Sequence, residues 1–320
     1  MKIMMVTNGQ PLAFPVVSID DNNWYKISDL LPDANLNSSV EILVHYQDNP
    51  GLFAETINRM QATIEAVDID AVTKELPFQP LSYRDFMLYE EHYINAKRGF
   101  ITKYMPHLLP IINIYERVAN QTFPKLKPEK RWYQYPIYYL GNHLTFVKSQ
   151  SKIAKPPYTA ELDYELELGA VLCRKIKNAS TDEAKEAIGG FVVFNDFSAR
   201  DVQADEMKCG FGPMKAKNFA NSISDVLVTA DEILPNIDKL KVRVLINGQL
   251  IMATDTSNIH YSLAEAIAYA SWEEQLFPGE FVATGTIPGC TGIENGTMLQ
   301  SGDTIRLEIE GIGSLENQVT

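Results

Sequence analysis

The stretch ELDYELELGAVLC, residues 161–173, decides how the rest of the chain is read. Charged and apolar side chains alternate through its first half, which is the period of a β-strand with two different faces. Asp163, Glu165 and Glu167 then share one face, and Tyr164, Leu166 and Leu168 share the other. A helix would scatter the three acids around its circumference. Like charges stacked on one strand face repel, and such a face standing alone is most often simply solvated. Here the strand continues as GAVLC, apolar at every position, so it is expected to be buried on both faces and its acids to face a cation or basic partners.

A second apolar strand, GGFVVF at 189–194, ends abruptly on Asn195-Asp196, beside Ser198, Arg200 and Asp201. Asp196 is therefore a second ligand candidate. Oxygen donors with no His or Cys interleaved suit a hard cation, Mg²⁺ first and then Ca²⁺ or Mn²⁺, and they disfavour zinc.

Outward from these strands the chain reads as α+β, with a small N-terminal module at 1–78 and a large mixed-β domain at 79–320. MKIMMVTN and PLAFPVVSID read as short strands, and the apolar spacing of Phe53, Ile57, Met60, Ile64 and Val67 predicts a helix from Leu52 to Val67. Pro77 and Pro80 mark the boundary between the two parts. Ser82 precedes an expected helix through YRDFMLYEEHYINAKR, with Phe86, Tyr89 and Tyr93 on one face. Ser180 with Glu183, and Ser262 with Glu265, are capping boxes that open helices to about Ile188 and Gln275. Asn247-Gly248 predicts a tight hairpin within KVRVLINGQLIMATD.

The 320 residues carry 28 Lys+Arg against 41 Asp+Glu, a net charge of −13. That balance argues against duplex nucleic acid and anionic membranes as partners and leaves small molecules and cations. Cys173, Cys209 and Cys290 are widely spaced with no CxxC pair, which fits a reducing compartment. The opening MKIMMVTNGQ lacks the apolar core of a signal peptide, and no apolar run approaches a membrane span, so the expected location is cytoplasmic.

LDYELELGAV, FNDFSARDVQ, Gly212-Pro213 with Lys217-Asn218-Phe219, ATGTIPG and SGDTIRLEIEGIGSLENQV together resemble the fumarylacetoacetate hydrolase superfamily over residues 80–320. The resemblance implies a divalent cation held by Asp85, Glu165, Glu167 and Asp196. It implies His92 as the base, since His92 follows Asp85 at the family's seventh position. Lys217 and Gln203 correspond to contacts for substrate and oxyanion, while Tyr139, Arg200 and Thr286 correspond to residues of the substrate pocket. Arg200 and Lys217 would also offset the carboxylates' charge. The acid that orients the histidine is open in the sequence: counting from Thr286 reaches Gln300, Glu294 is the nearest acid, and Glu91 is a local alternative. Met87 stands where the family's hydrolases carry a substrate-binding tyrosine, and Arg98 is the arginine available for a distal substrate carboxylate.

The implied activity is metal-dependent hydrolysis of a carbon–carbon bond in a β-diketo acid, with fumarylacetoacetate of aromatic amino-acid catabolism as the leading substrate and a homodimer as the implied assembly. The alternative within the superfamily is an acylpyruvate hydrolase or oxaloacetate decarboxylase. The alternative of another class is a non-catalytic, metal-stapled binding protein.

Overall fold

The computed structural model describes residues 1–9 and 11–320. Its fold is α+β, built on a twelve-stranded mixed sheet and a five-stranded sheet. The centre of the large sheet is the antiparallel pair Leu166–Leu172 and Ile188–Asp196, buried at every position. Both strands read as apolar runs because both of their faces are covered. Leu166, Leu168, Ala170, Leu172, Phe191 and Val193 belong to a core shared with the five-stranded sheet and the helix Leu263–Ala270. Val171, Cys173, Val192 and Phe194 face the opposite core, which is shared with the N-terminal helices Ser39–Asp48 and Leu52–Met60.

The N-terminal residues do not close a sheet of their own. The strand Lys2–Thr7 pairs antiparallel with Leu227–Thr229, and Phe14–Ser18 and Tyr25–Lys26 extend the same edge. Ile3, Leu43 and Phe53 accordingly pack in one cluster with Val171, Val192 and Phe281.

Both capping boxes form, at Ser180–Glu183 and Ser262–Glu265. The Asn247-Gly248 hairpin forms too, with φ of 52° and 76° at its two central residues, the left-handed pair that a two-residue turn of this kind requires. Three helix expectations are corrected. The helix from Leu52 ends at Met60, and that from Leu263 ends at Ala270. The segment after Ser82 is not helical at first: Tyr83–Phe86 is a buried strand, and the helix runs from Glu90 to Tyr104. Strand pairing on both sides, parallel to Phe281–Ala283 and antiparallel to Tyr138–Leu140, outweighs the three- and four-residue spacing of the aromatics. The Ser82 hydroxyl donates to Glu280 instead of capping a helix.

The strand reading of 161–173 is also modified. Leu162–Asp163 pairs with Ser198–Ala199, outside the main sheet, and the chain steps at Tyr164-Glu165 before entering Leu166–Leu172. That step separates Asp163 from Glu167 and leaves it beside Glu165, both carboxylates accepting from Arg200.

The helix Glu90–Tyr104 lies against the short helix Gly292–Asn295 with Gly99 at the crossing, where a Cβ would stand 2.0 Å from the Ile293 carbonyl oxygen. Helix propensity alone makes Gly99→Ala stabilising by up to about 1 kcal/mol. The contact reverses the sign: we expect Gly99→Ala to destabilise by on the order of 1–3 kcal/mol, the usual cost of overpacking, read as a lowered melting temperature at unchanged helical circular dichroism.

Candidate active site

Side-chain parity brings three acids together from three strands. Glu167 and Asp196 lie on the face of the central pair that also carries Val171 and Phe194, and Asp85 extends from Tyr83–Phe86 on the same face. Asp85, Glu167 and Asp196 each bring an oxygen within 4.8 Å of the others. Tyr83 and Phe194, two residues before Asp85 and Asp196 on their strands, and Phe281 of the strand Phe281–Ala283 pack with Phe146 at ring-centroid distances of 5.1 to 5.8 Å and close the floor beneath the carboxylates. Burying each such ring contributes roughly 1.5–3 kcal/mol, so the floor is rigid and dry.

That dryness governs the electrostatics. Burial and the neighbouring Asp196 charge hold the Asp85 carboxyl well above the usual carboxylate range. Burial and the charges of Asp85, Glu165 and Asp196 do the same for Glu167. Asp196 is also raised by burial, although Lys217 offsets part of the effect. Like charges forced together in low dielectric raise one another's pKa, and a cation between them removes the cause. Two oxygens on opposite sides of a hard cation stand about 4–5 Å apart, given ligand distances of roughly 2.1–2.5 Å, so the spacing and the all-oxygen donor set fit Mg²⁺, Mn²⁺ or Ca²⁺.

Glu165, expected as a fourth ligand, does not join the triad. Its Oε1 accepts from Arg200 at 2.6 Å and its Oε2 from the Lys217 ammonium. Burial would raise its pKa, but Arg200 and Lys217 outweigh burial and lower it, so Glu165 stays ionised. Lys217 also donates to Asp196 Oδ2 at 2.6 Å. Burial opposes its charge, and Asp196 and Glu165 reverse that effect, holding the ammonium above its ordinary pKa.

Arg200, in the buried interior, donates to Asp163 Oδ2 at 2.7 Å, to the Thr291 hydroxyl at 2.8 Å and to Gln203 Oε1 at 2.8 Å. Gln203 therefore presents its NH₂ as the end able to donate elsewhere. Tyr139 donates to Asp196 Oδ2 at 2.7 Å, and Thr286 donates to Glu167 at 3.4 Å, so both reach the carboxylates.

Glu294 resolves the choice left open in the sequence. His92 Nδ1 lies 2.5 Å from Glu294 Oε1, with both side chains buried, while Glu91 is exposed on the next helical position and Gln300 is exposed in a turn. A carboxylate at Nδ1 draws the N–H to that nitrogen and leaves Nε2 as the basic end. Arg98 instead pairs with Glu116 at 2.7 Å on the wall of a cavity of about 810 Å³, which Asn95, Met252, Thr254 and Glu294 also line.

Two further contributors escape a sequence reading. Tyr83 donates to Asp85 Oδ2 at 2.9 Å, for which the only sequence signal is its place two residues earlier on a strand. Glu206 accepts from the backbone N–H groups of Met214, Lys215 and Ala216 at 2.7 to 3.2 Å, fixing the turn that delivers Lys217. Nothing in the sequence links residues so placed.

The fumarylacetoacetate (FAA) hydrolase C-terminal family model matches residues 112–320, and the chain belongs to that family. Asp85 and His92 precede the matched span, so their association with it is a matter of geometry. Over 167 residues the chain is 30% identical to the human oxaloacetate tautomerase FAHD1, mitochondrial, covering 52% of this chain and 76% of that one. The fold is shared with a fumarylacetoacetate hydrolase of Exiguobacterium antarcticum, at TM-score 0.71 and 21% identity over 100% of this chain and 99% of that one. It is shared equally with a Sphingobium maleylpyruvate hydrolase in complex with manganese(II) ion and pyruvate, at TM-score 0.67 and 17% identity over 100% and 99% of the two chains. Among the described residues no helix is long and apolar enough to cross a membrane.

Because the folded chain alone gathers the three carboxylates, a bound cation stabilises it by linkage. At a hundred times its dissociation constant Mn²⁺ or Mg²⁺ adds about 2.7 kcal/mol, read as a rise in melting temperature that a chelator reverses. Glu167→Ala is expected to remove both that rise and the calorimetric binding signal while the metal-free protein remains folded.

Proposed function

We propose that this protein is a divalent-cation-dependent enzyme that hydrolyses the carbon–carbon bond of a short β-diketo acid of the acylpyruvate type. The observation that carries the reading is the buried His92–Glu294 pair in the same fold as the triad of Asp85, Glu167 and Asp196. A metal-stapled binding protein has no use for a buried, carboxylate-oriented imidazole.

A cation held by Asp85, Glu167 and Asp196 supplies Lewis-acid stabilisation of developing negative charge. The chain's own residues do the rest. His92 accepts a proton from water at Nε2, while Glu294 keeps the ring oriented and stabilises the imidazolium. The water oxygen adds to the acyl carbonyl. Lys217 has two of its three N–H groups on Glu165 and Asp196, and the third donates to the oxyanion with the Gln203 amide. Cleavage then leaves an acid and an enolate, and His92 returns its proton to the enolate carbon.

The acyl arm is read as shorter than that of fumarylacetoacetate. Arg98, the arginine available for a distal carboxylate, is engaged by Glu116, and Met87 has no hydroxyl to offer. A second reading, oxaloacetate tautomerisation, draws support from the 30% identity to the human enzyme of that name, since moving one proton needs the base but no water. In either reading the protein works as a homodimer in the cytoplasm. The unpaired Cys173, Cys209 and Cys290 support a reducing compartment.

The deciding experiment offers the Mg²⁺- or Mn²⁺-loaded protein acylpyruvates of increasing arm length, fumarylacetoacetate and oxaloacetate. Release of pyruvate from a short acylpyruvate at the highest kcat/KM is expected. Faster interconversion of oxaloacetate's keto and enol forms would establish the second reading instead. His92→Ala is expected to retain Mn²⁺ affinity and lose at least about a hundredfold in turnover. Lys217→Met is expected to lower kcat by about 10²–10³ with little change in KM, because its third N–H meets charge that develops only in the transition state. A variant that raised KM alone would assign Lys217 to substrate binding.

A further inference from the structure

Asp163 belongs to neither the triad nor the histidine pair, yet its carboxylate touches the elements that hold both. The side chain is fully buried. Oδ2 accepts from Arg200 Nε at 2.7 Å, the Thr291 hydroxyl at 2.8 Å and the Ile293 N–H at 2.9 Å. Oδ1 accepts from the Gly292 N–H at 2.7 Å and the Tyr164 N–H at 2.8 Å. One carboxylate thus takes five hydrogen bonds, three of them from the turn Thr291–Ile293.

That turn opens the short helix Gly292–Asn295, which carries Glu294. Gly292 is needed for the approach, since a Cβ there would lie 2.5 Å from Asp163 Oδ1. The next residue but one, Glu294, reaches His92 Nδ1 with Oε1 and accepts the Gly289 N–H on Oε2 at 2.9 Å. On its other side Asp163 holds Arg200, whose remaining nitrogens reach Glu165, Thr291 and Gln203. The turn that carries the imidazole's carboxylate and the Arg200 guanidinium are therefore both referred to one buried group.

We propose that Asp163 is a positioning residue that fixes the Thr291–Glu294 turn and, through Glu294, determines which nitrogen of His92 carries the proton. A neutral histidine ring without a partner favours the proton on Nε2. The Glu294 carboxylate inverts that preference, and only the inverted tautomer presents a lone pair at Nε2. Glu294 holds this position only while the turn beneath it is anchored. Replacing the Asp163 carboxylate by an amide puts an NH₂ against backbone N–H groups and removes acceptors from a buried turn, where an unmade hydrogen bond is costly. The importance of the tautomer for turnover rests on His92 being the base; the tautomer itself does not.

The test is ¹⁵N NMR of the histidine rings in the full-length, Mg²⁺-loaded protein, read where the ring ¹⁵N shifts report the neutral tautomers. The His92 signals are assigned by their loss in His92→Phe. The wild type is expected to show the Nδ1–H tautomer, and Asp163→Asn to raise the Nε2–H form from a minor species to at least about half, matching Glu294→Ala. A wild-type tautomer in Asp163→Asn, or no change in Glu294→Ala, overturns the proposal. Should Asp163→Asn fail to fold by near-UV circular dichroism, Thr291→Val removes only the hydroxyl between Arg200 and Asp163. It is expected to shift the tautomer in the same direction by a smaller amount, and an unchanged tautomer there overturns the proposal equally. Failure of the functional reading shows separately, as absent turnover on the substrate panel with the tautomer shift intact.

Discussion

Repulsion among buried carboxylates is the constraint on which this structure depends. Asp85, Asp163, Glu165, Glu167 and Asp196 are almost fully removed from water, and among the described residues only Arg200 and Lys217 answer them with full positive charge. Fully ionised, they would leave an excess of three negative charges in low dielectric, which protonation of the raised carboxyls or a bound cation relieves. The protein divides the cost in two. Asp163 and Glu165 are matched by Arg200 and Lys217 in a hydrogen-bonded network that Lys217 extends to Asp196, while Asp85, Glu167 and Asp196 converge on a space suited to a dication.

The scaffold makes that division durable. A sheet covered on both faces lets strand parity dictate which side chains converge, because reversing a residue would expose apolar side chains on one face and bury polar ones on the other. The aromatic floor of Tyr83, Phe146, Phe194 and Phe281 keeps water from relaxing the charges. Beside the carboxylates, one close backbone approach depends on glycine. At Gly285, with φ +80°, the N–H donates to Glu167 Oε2 at a place where a Cβ would stand 2.3 Å from the Phe86 carbonyl oxygen.

The carboxylate triad and the His92–Glu294 pair also come from different kinds of element. The triad rises from the sheet, whereas His92 comes from a helix outside it and Glu294 from a four-residue helix near the C-terminus. Elements so remote in sequence meet through close backbone packing at Gly99, where a Cβ would stand 2.0 Å from the Ile293 carbonyl oxygen, and through the His92–Glu294 contact itself.

The amino-acid sequence by itself determined the α+β class, both capping boxes, the Asn247-Gly248 hairpin and the presence of an acidic site around Glu165, Glu167 and Asp196. Each of these rests on local periodicity or on side-chain chemistry within a few residues. The sequence misread what depends on remote partners. Tyr83–Phe86 looked helical because the strands that flank it, Phe281–Ala283 and Tyr138–Leu140, lie far along the chain. Asp163 looked like a third member of one strand face because the step at Tyr164-Glu165 is imposed by pairing with Ser198–Ala199. Which acid stands behind His92 could not be counted out from Thr286, since the distance along a loop does not fix where its carboxylate arrives. Tertiary structure alone chose Glu294 over Gln300 and Glu91 and gave Glu165 to Arg200 and Lys217. Those choices are settled by packing and charge among segments that the sequence holds far apart.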